Sequence, residues 1–238
     1  MRGYTNVLMA LLIALTITAC DSGGQSTPKN QGNANGGGTS PSVELEEYPA
    51  SDLNDAQKHA LAYMWHEEKL AYEIYLELNK VHPANQFVNI ATKSEIVHMN
   101  LVKDLVEKYD INITNLADFT VNYSKDELLS MPVGKYAVPA VQSLYDTLYA
   151  KGIMSKKDAL EVACMVEVTD VNDLDEYIEV AGDAQDLVET FKILRDGSYK
   201  HYWAFDGALK MIGVSNGCCV LGEDFCKTEQ EYPNNKGH

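Results

Sequence analysis

The chain has 238 residues, 45% of them hydrophobic, and a formal net charge of −16 at neutral pH. That much negative charge argues against nucleic acid as a partner and against a basic face for a membrane surface. It suits an exported domain that stays in solution, and it draws cations weakly.

The N-terminus speaks to compartment. Arg2 precedes an apolar run from Val7 to Ile17, and small residues lead to Cys20. Residues 1–19 therefore read as a secretory signal, too short to span a bilayer as a helix. The placement of Cys20 resembles the lipobox of bacterial lipoproteins, in which that cysteine becomes the lipid-modified mature N-terminus. Residues 20–50 are nearly all Gly, Ser, Thr, Asn, Gln and Pro after the cysteine, and read as a flexible tether. The expected location is outside the cytoplasm, anchored by lipid to a bacterial membrane on its periplasmic or cell-surface side.

Residues 51–213 are helix-patterned and poor in strand signals. The first helix is expected from about Asn54 to Lys80, with Asn54 and Gln57 as a capping box. Its apolar stripe is Leu61, Met64, Ala71, Tyr75 and Leu78, interrupted by Glu68. A second helix from about Gln86 to Lys108 carries Ile90, Ala91, Val102 and Leu105, interrupted by Glu95 and His98. A long connection containing Pro132, Gly134 and Pro139 leads to a short helix from Ala140 to Ala150. Ser155 with Asp158 opens the third long helix, whose stripe Leu160, Ala163, Val171, Leu174 and Ile178 is interrupted by Glu167; Gly182 closes it. The fourth runs from about Ala184 to Ile212, with Ser198 and His201 between Leu194 and Phe205. Two helical hairpins joined by one long crossover predict an all-α, ferritin-like four-helix bundle.

The interruptions carry the chemistry. Carboxylates are rarely buried without a partner, and several in one dry core cost several kcal/mol each unless protons or cations neutralise them. Di-metal bundles take one Glu from each of two helices and Glu-x-x-His from each of the other two. Glu68, Glu95, His98, Glu167 and His201 fit most of that pattern. The two hairpins echo each other, with a carboxylate on the first helix of each and a histidine on the second. Ser198 stands where the fourth helix would carry its carboxylate, and Asp170, one turn after Glu167, is the candidate substitute as ligand or as hydrogen-bond acceptor. A poorer second metal position is expected. Glu67 is out of phase with the stripe, so Glu68 is preferred. Glu161, His59 and His66 read as surface residues. Tyr75 can donate to a ligating carboxylate; Tyr199, Tyr202 and Trp203 read as packing. Mixed carboxylate and imidazole donors suit two divalent ions, iron first, manganese or zinc as alternatives.

Residues 214–238 form a cysteine-containing irregular tail. A disulfide from Cys226 to Cys218 or Cys219 is expected in an oxidising compartment, with a three-cysteine metal site as the alternative. Cys164 reads as a small core residue.

The blocks His66–Tyr75 (HEEKLAYEIY), Ile90–Met99 (IATKSEIVHM), Ala159–Leu174 and Leu194–Phe205 (LRDGSYKHYWAF) resemble those of the ferritin-like domain-of-unknown-function 2202 family. The Glu68, Ala71, Tyr75 spacing is similar to the first metal-binding helix of rubrerythrins and bacterioferritins. The resemblance implies a carboxylate-bridged two-metal centre without a settled reaction. Ser198 departs from the rubrerythrin pattern, and there is no rubredoxin-like pair of Cys-x-x-Cys motifs. The expected activity is of the ferroxidase or peroxidase type, acting on a small oxidant or on the metal ion. The competing class is a tethered module that sequesters metal or binds a protein partner. A homodimer is compatible with the sequence; a closed storage shell is not expected, because a lipid on every chain is awkward for it.

Overall fold

Asn54 starts the first helix by accepting a hydrogen bond from Gln57 N at 3.0 Å, while Gln57 Oε1 accepts from Asn54 N at 2.9 Å. The two side chains thus satisfy orphan amides reciprocally at the head of α1, Asp55–Val81. The computed structural model describes residues 48–111, 126–127 and 130–234. Cys20, the signal and most of the tether lie outside the described residues. Among those described, all regular structure is helical, and no helix is long and apolar enough to cross a membrane.

The second expected helix is broken into three pieces: α2, Asn85–Ile90; a π-helical turn, Ala91–Glu95; and α3, Ile96–Lys108. The crossover ends in α4, Pro139–Gly152, with proline in the first turn, where its missing N–H costs nothing. α5, Lys156–Ala181, starts at Ser155, whose Oγ accepts from Asp158 N at 3.1 Å. It stops at Gly182, whose φ of +54° a side chain would strain. α6 is Gln185–Met211.

Contacts at the helix ends fix their directions. Gln57 Nε2 donates to Ala181 O at 2.8 Å, so the start of α1 meets the end of α5. Lys108 and Tyr109, at the end of α3, both bond Asp186 Oδ2 at the start of α6, at 2.8 and 2.6 Å. α1 therefore runs opposite to α5, and α3 opposite to α6. The crossover returns the chain to the far end, so α3 and α5 run parallel. α1 packs on α3 and α5, and α5 on α6. The expected stripes are buried, apart from Ile178, which is half-buried, and Ile212, which is exposed.

The crossover also covers the outer side of α1. Lys69 pairs with Glu73 at 2.7 Å and donates to Pro132 O and Lys135 O. Glu73 in turn accepts from Gly134 N and from the Tyr136 hydroxyl, both at 2.8 Å. This cover corrects two surface assignments. His66 is fully buried, edge-on to Trp65 and near Tyr136, and burial pushes its pKa down to about 3. Glu161 is buried because α4 packs on α5 and brings Lys151 to within 2.7 Å of it, with Lys157 beside it. His59 is half-buried against Tyr63.

The tail is not a loose end. Cys219–Cys226 is one of the expected pairings, but Cys218 bonds Cys164. Cys164 is thus in the core yet not free, because the chain beyond α6 folds back on the face of α5 that bears it. With all four described cysteines in disulfides, the three-thiolate metal site is overturned. Trp203 Nε1 donates to Tyr232 O at 2.8 Å and the Tyr202 hydroxyl to Phe225 O at 2.9 Å, so these aromatics seat the tail on α6.

Candidate metal centre

Five stripe interruptions, one from each of five helical segments, meet in the core. α1 supplies Glu68, the π-turn Glu95, α3 His98, α5 Glu167 and α6 His201, all at most 6% exposed. They form two triads, Glu68–Glu95–His98 and Glu95–Glu167–His201, in each of which three ligand atoms lie within 4.8 Å of one another. Glu95 belongs to both. Its Oε2 lies 3.0 Å from His98 Nδ1 and its Oε1 2.9 Å from His201 Nδ1. Glu68 Oε2 completes the first triad at 3.2 Å from His98 Nδ1, and Glu167 Oε2 the second at 3.4 Å from His201 Nδ1.

The surroundings aim these groups. Ser94 Oγ lies 2.8 Å from His201 Nε2, leaving Nδ1 for the carboxylates. The π-turn makes this pair of contacts: its extra width lets Ser94 and Glu95 both reach inward, a device that recurs at functional sites. The Tyr75 hydroxyl donates to Glu167 Oε1 at 2.5 Å. Gly197 gives His98 its room: a Cβ there would sit 2.6 Å from His98 Nε2 and Cε1.

Charge is balanced by protons in this form. Burial alone would lower His98 and His201, but the carboxylates outweigh it: Glu68 and Glu95 hold His98 well above its usual range, and Glu95 and Glu167 raise His201 to about 10. Burial alone would raise Glu95, yet His201 and His98 keep it well below the carboxylate range. Glu68 is pushed up to about 7 by burial against the pull of His98, and Glu167 is also raised by burial.

Several buried ligand atoms remain without a hydrogen bond: Glu68 Oε1, Glu95 Oε1 and His201 Nδ1. The last two approach to 2.9 Å but are not aligned to bond. Polar atoms left unpartnered in one dry space are costly, and a cation that displaces the imidazole protons satisfies them together. The donor set, three carboxylates and two imidazoles with one carboxylate shared, therefore fits two divalent ions.

Asp170 lies outside both triads. Its Oδ2 accepts from Ser198 Oγ at 2.6 Å, so the serine of α6 holds a carboxylate from α5 near the centre. Glu67 also stays outside, facing Asp173. The sequence reading did not include Ser94 or Gly197. A glycine in mid-helix is a signal of close approach that would have found Gly197; nothing marks Ser94.

The protein is thus an all-helical domain built around two buried carboxylate–histidine triads joined through one glutamate. It belongs to the family described as "Uncharacterized protein domain (DUF2202)", whose model matches residues 57–224. It is 32% identical over 169 residues to "Uncharacterized protein MJ0754" of Methanocaldococcus jannaschii, covering 71% of this chain and 83% of that one. It is similar to a solved structure, that of hypothetical protein MJ0754 from Methanococcus jannaschii DSM 2661. That match has a TM-score of 0.63 and 32% identity, and covers 77% of this chain and 93% of the other.

Proposed function

We propose that this is an exported, lipid-anchored protein with a ferritin-like four-helix bundle and a two-metal carboxylate centre, used for redox handling of iron, oxygen or peroxide. The observation that carries the reading is Glu95, shared between the triads with one oxygen toward each histidine. Glu68 and His98 would hold one metal, Glu167 and His201 the other, and Glu95 would bridge them. A ferrous pair held there would supply the two electrons that, with two protons, reduce hydrogen peroxide to two waters.

The chain's own groups serve that chemistry in definite ways. Tyr75 orients Glu167, and Ser94 fixes the ring of His201, as partners of ligands generally do. Leu61, Met64, Phe205 and Val102, all fully buried, keep the surroundings dry. The His98 and His201 imidazoles, which the carboxylates keep protonated in the metal-free protein, would each give up a proton on holding a metal. The small residues Thr18 and Ala19 directly before Cys20 support the lipid anchor, and the tether behind it supports a domain held close to a membrane.

The test is metal analysis after anaerobic loading with ferrous or manganous ion, followed by peroxide. About two equivalents per chain are expected for a carboxylate-bridged pair, and peroxide consumption that disappears in Glu95→Ala plus His98→Ala. A loaded protein that retains essentially no metal sinks the reading; activity that survives the double change moves it away from this centre.

A further inference from the structure

The exposed apolar side chains are gathered rather than scattered. Among the described residues eight large ones are exposed, and six of them, Val81, Val88, Ile153, Met154, Met211 and Ile212, sit at one end of the bundle. Val81 and Met211 close α1 and α6, Ile212 follows α6, Ile153 and Met154 join α4 to α5, and Val88 lies near the start of α2. Two contacts draw these ends together: His82 Nε2 lies 2.9 Å from Ile153 O, and Lys156 Nζ donates to Pro83 O at 2.9 Å. Val88, Met211 and Ile212 share an open groove with Leu160 and Lys156. Met154 and Met211 are 72% and 74% exposed, although burying such a side chain stabilises by about 1.5–3 kcal/mol. A contiguous apolar patch marks a surface that meets something else, as single exposed apolar residues do not.

The charges at this end say what it meets. Within residues 77–81, 156–162 and 205–212 every acid is answered by a lysine: Glu77 by Lys80, Asp158 by Lys151, Glu161 by Lys151 and Lys157, and Asp206 by Lys210. Lys156, bonded to the Pro83 carbonyl, adds a positive charge. The opposite end is acidic: Asp52, Asp55, Glu107, Asp110, Glu179 and Asp183 are all exposed there. An anionic lipid surface repels that end and accepts the other. There the lysines can lay their stems along the apolar side chains and hold their ammonium groups at headgroup level.

The chain enters the bundle at the acidic end, where Lys108 Nζ donates to Tyr48 O at 2.9 Å and Ser51 N to the Tyr109 hydroxyl at 3.2 Å. From Cys20, the expected lipid site, to Tyr48 is 28 residues. A chain of that length can reach about 90–100 Å, whereas α1, with 27 residues, is about 40 Å long. An anchor at Cys20 is therefore compatible with the far, apolar end lying on the membrane.

We propose that the apolar end of the bundle is a membrane-docking face, whose side chains enter the headgroup region of a lipid bilayer while the acidic end points away from it. The proposal takes its setting from the lipid-anchored reading above and is independent of the metal centre.

Met154 and Met211 are built-in reporters. The lipidated mature chain, free of metal and held on vesicles of phosphatidylethanolamine and phosphatidylglycerol, is treated with a mild oxidant that converts methionine to its sulfoxide, read residue by residue by mass spectrometry. Met154 and Met211 are expected to oxidise several-fold more slowly than in the same mature chain made without lipid, Cys20→Ser, and kept free of vesicles. Met99 and Met131, half-buried and away from this end, should keep their rates. Val81→Glu with Ile212→Glu, both at exposed positions, should leave the chain anchored and restore fast oxidation. Equal rates at Met154 and Met211 with and without the membrane overturn the face, as does protection that survives the paired change. Slow oxidation in the vesicle-free chain also overturns it, since a second copy of the chain would then cover this end. A chain that takes no lipid at Cys20 overturns the anchored reading. Added vesicles then decide the face alone: protection of the two methionines upholds it, and its absence overturns it.

Discussion

The two triads share Glu95 but are held by different forces. In the first, His98 is positioned by shape: its ring lies against Gly197, where even a methyl group has no space. In the second, the groups are positioned by hydrogen bonds, Ser94 on His201 and Tyr75 on Glu167. Packing of this kind resists any added volume, whereas hydrogen bonds are lost when a single oxygen is removed. The halves should therefore fail separately, each to its own kind of substitution, and fail together only through Glu95.

Glu95→Gln is accordingly the largest expected effect. It removes the shared carboxylate, and both metal equivalents should be lost on ferrous or manganous titration. It should also change the metal-free protein. His98 and His201 have folded pKa values above the ordinary 6.5, about 10 for His201. A raised folded pKa gives stability that is fully present below 6.5 and is lost as pH rises through the folded value. The metal-free protein should therefore weaken between about pH 6.5 and pH 10 for this group, seen as a falling urea midpoint. Glu95→Gln should flatten that fall. A midpoint with the same pH slope in both proteins would show that Glu95 does not hold the imidazolium charge.

The next effects separate the halves. Gly197→Ala should displace His98 and weaken metal binding at the first triad by about 10–100-fold. The helix gains about 1 kcal/mol of propensity from the alanine, while overpacking costs about 1–3 kcal/mol, so net stability should fall by about 0–2 kcal/mol. Ser94→Ala should instead weaken the second triad, by about tenfold, by freeing the His201 ring. Two-phase titration by isothermal calorimetry separates them. Both substitutions acting on the same phase would show that the centre behaves as one unit.

The same contrast explains what the sequence discloses. Glu68, Glu95, His98, Glu167 and His201 are legible because each interrupts an apolar stripe on its own helix, a pattern local to one segment. The helix starts at Asn54 and Ser155 are legible for the same reason, since the cap and its partner are three residues apart. What is set between segments leaves little trace. His66 and Glu161 lie away from the main stripes and look exposed until the crossover and α4 cover the outer faces of α1 and α5. The Cys164–Cys218 pairing joins residues 54 apart, and spacing does not determine connectivity. The π-turn shows no breaker in Ala91–Glu95, so one continuous helix is the natural reading there.

Asp170 is where these views conflict, and the smallest effect tests it. From spacing, Asp170 would make up for the missing carboxylate of α6 at the second triad. In the structure it bonds Ser198 and joins neither triad, and among its charged neighbours Glu68, of the first triad, acts on it most strongly. Burial, with Glu68 next, raises its pKa well above the usual range although the Ser198 hydroxyl favours the carboxylate. Burial thus favours its neutral form, and asparagine, uncharged and of the same shape, can keep the Ser198 bond. Asp170→Asn should leave metal-free stability within about 0.5 kcal/mol, since it opens no cavity and strands no charge. Metal affinity should fall only a few-fold, about 1 kcal/mol or less, and more at the first triad than at the second. Manganous titration of the variant checks this. A loss of tenfold or more confined to the second triad would make Asp170 a direct ligand there and restore the reading from spacing.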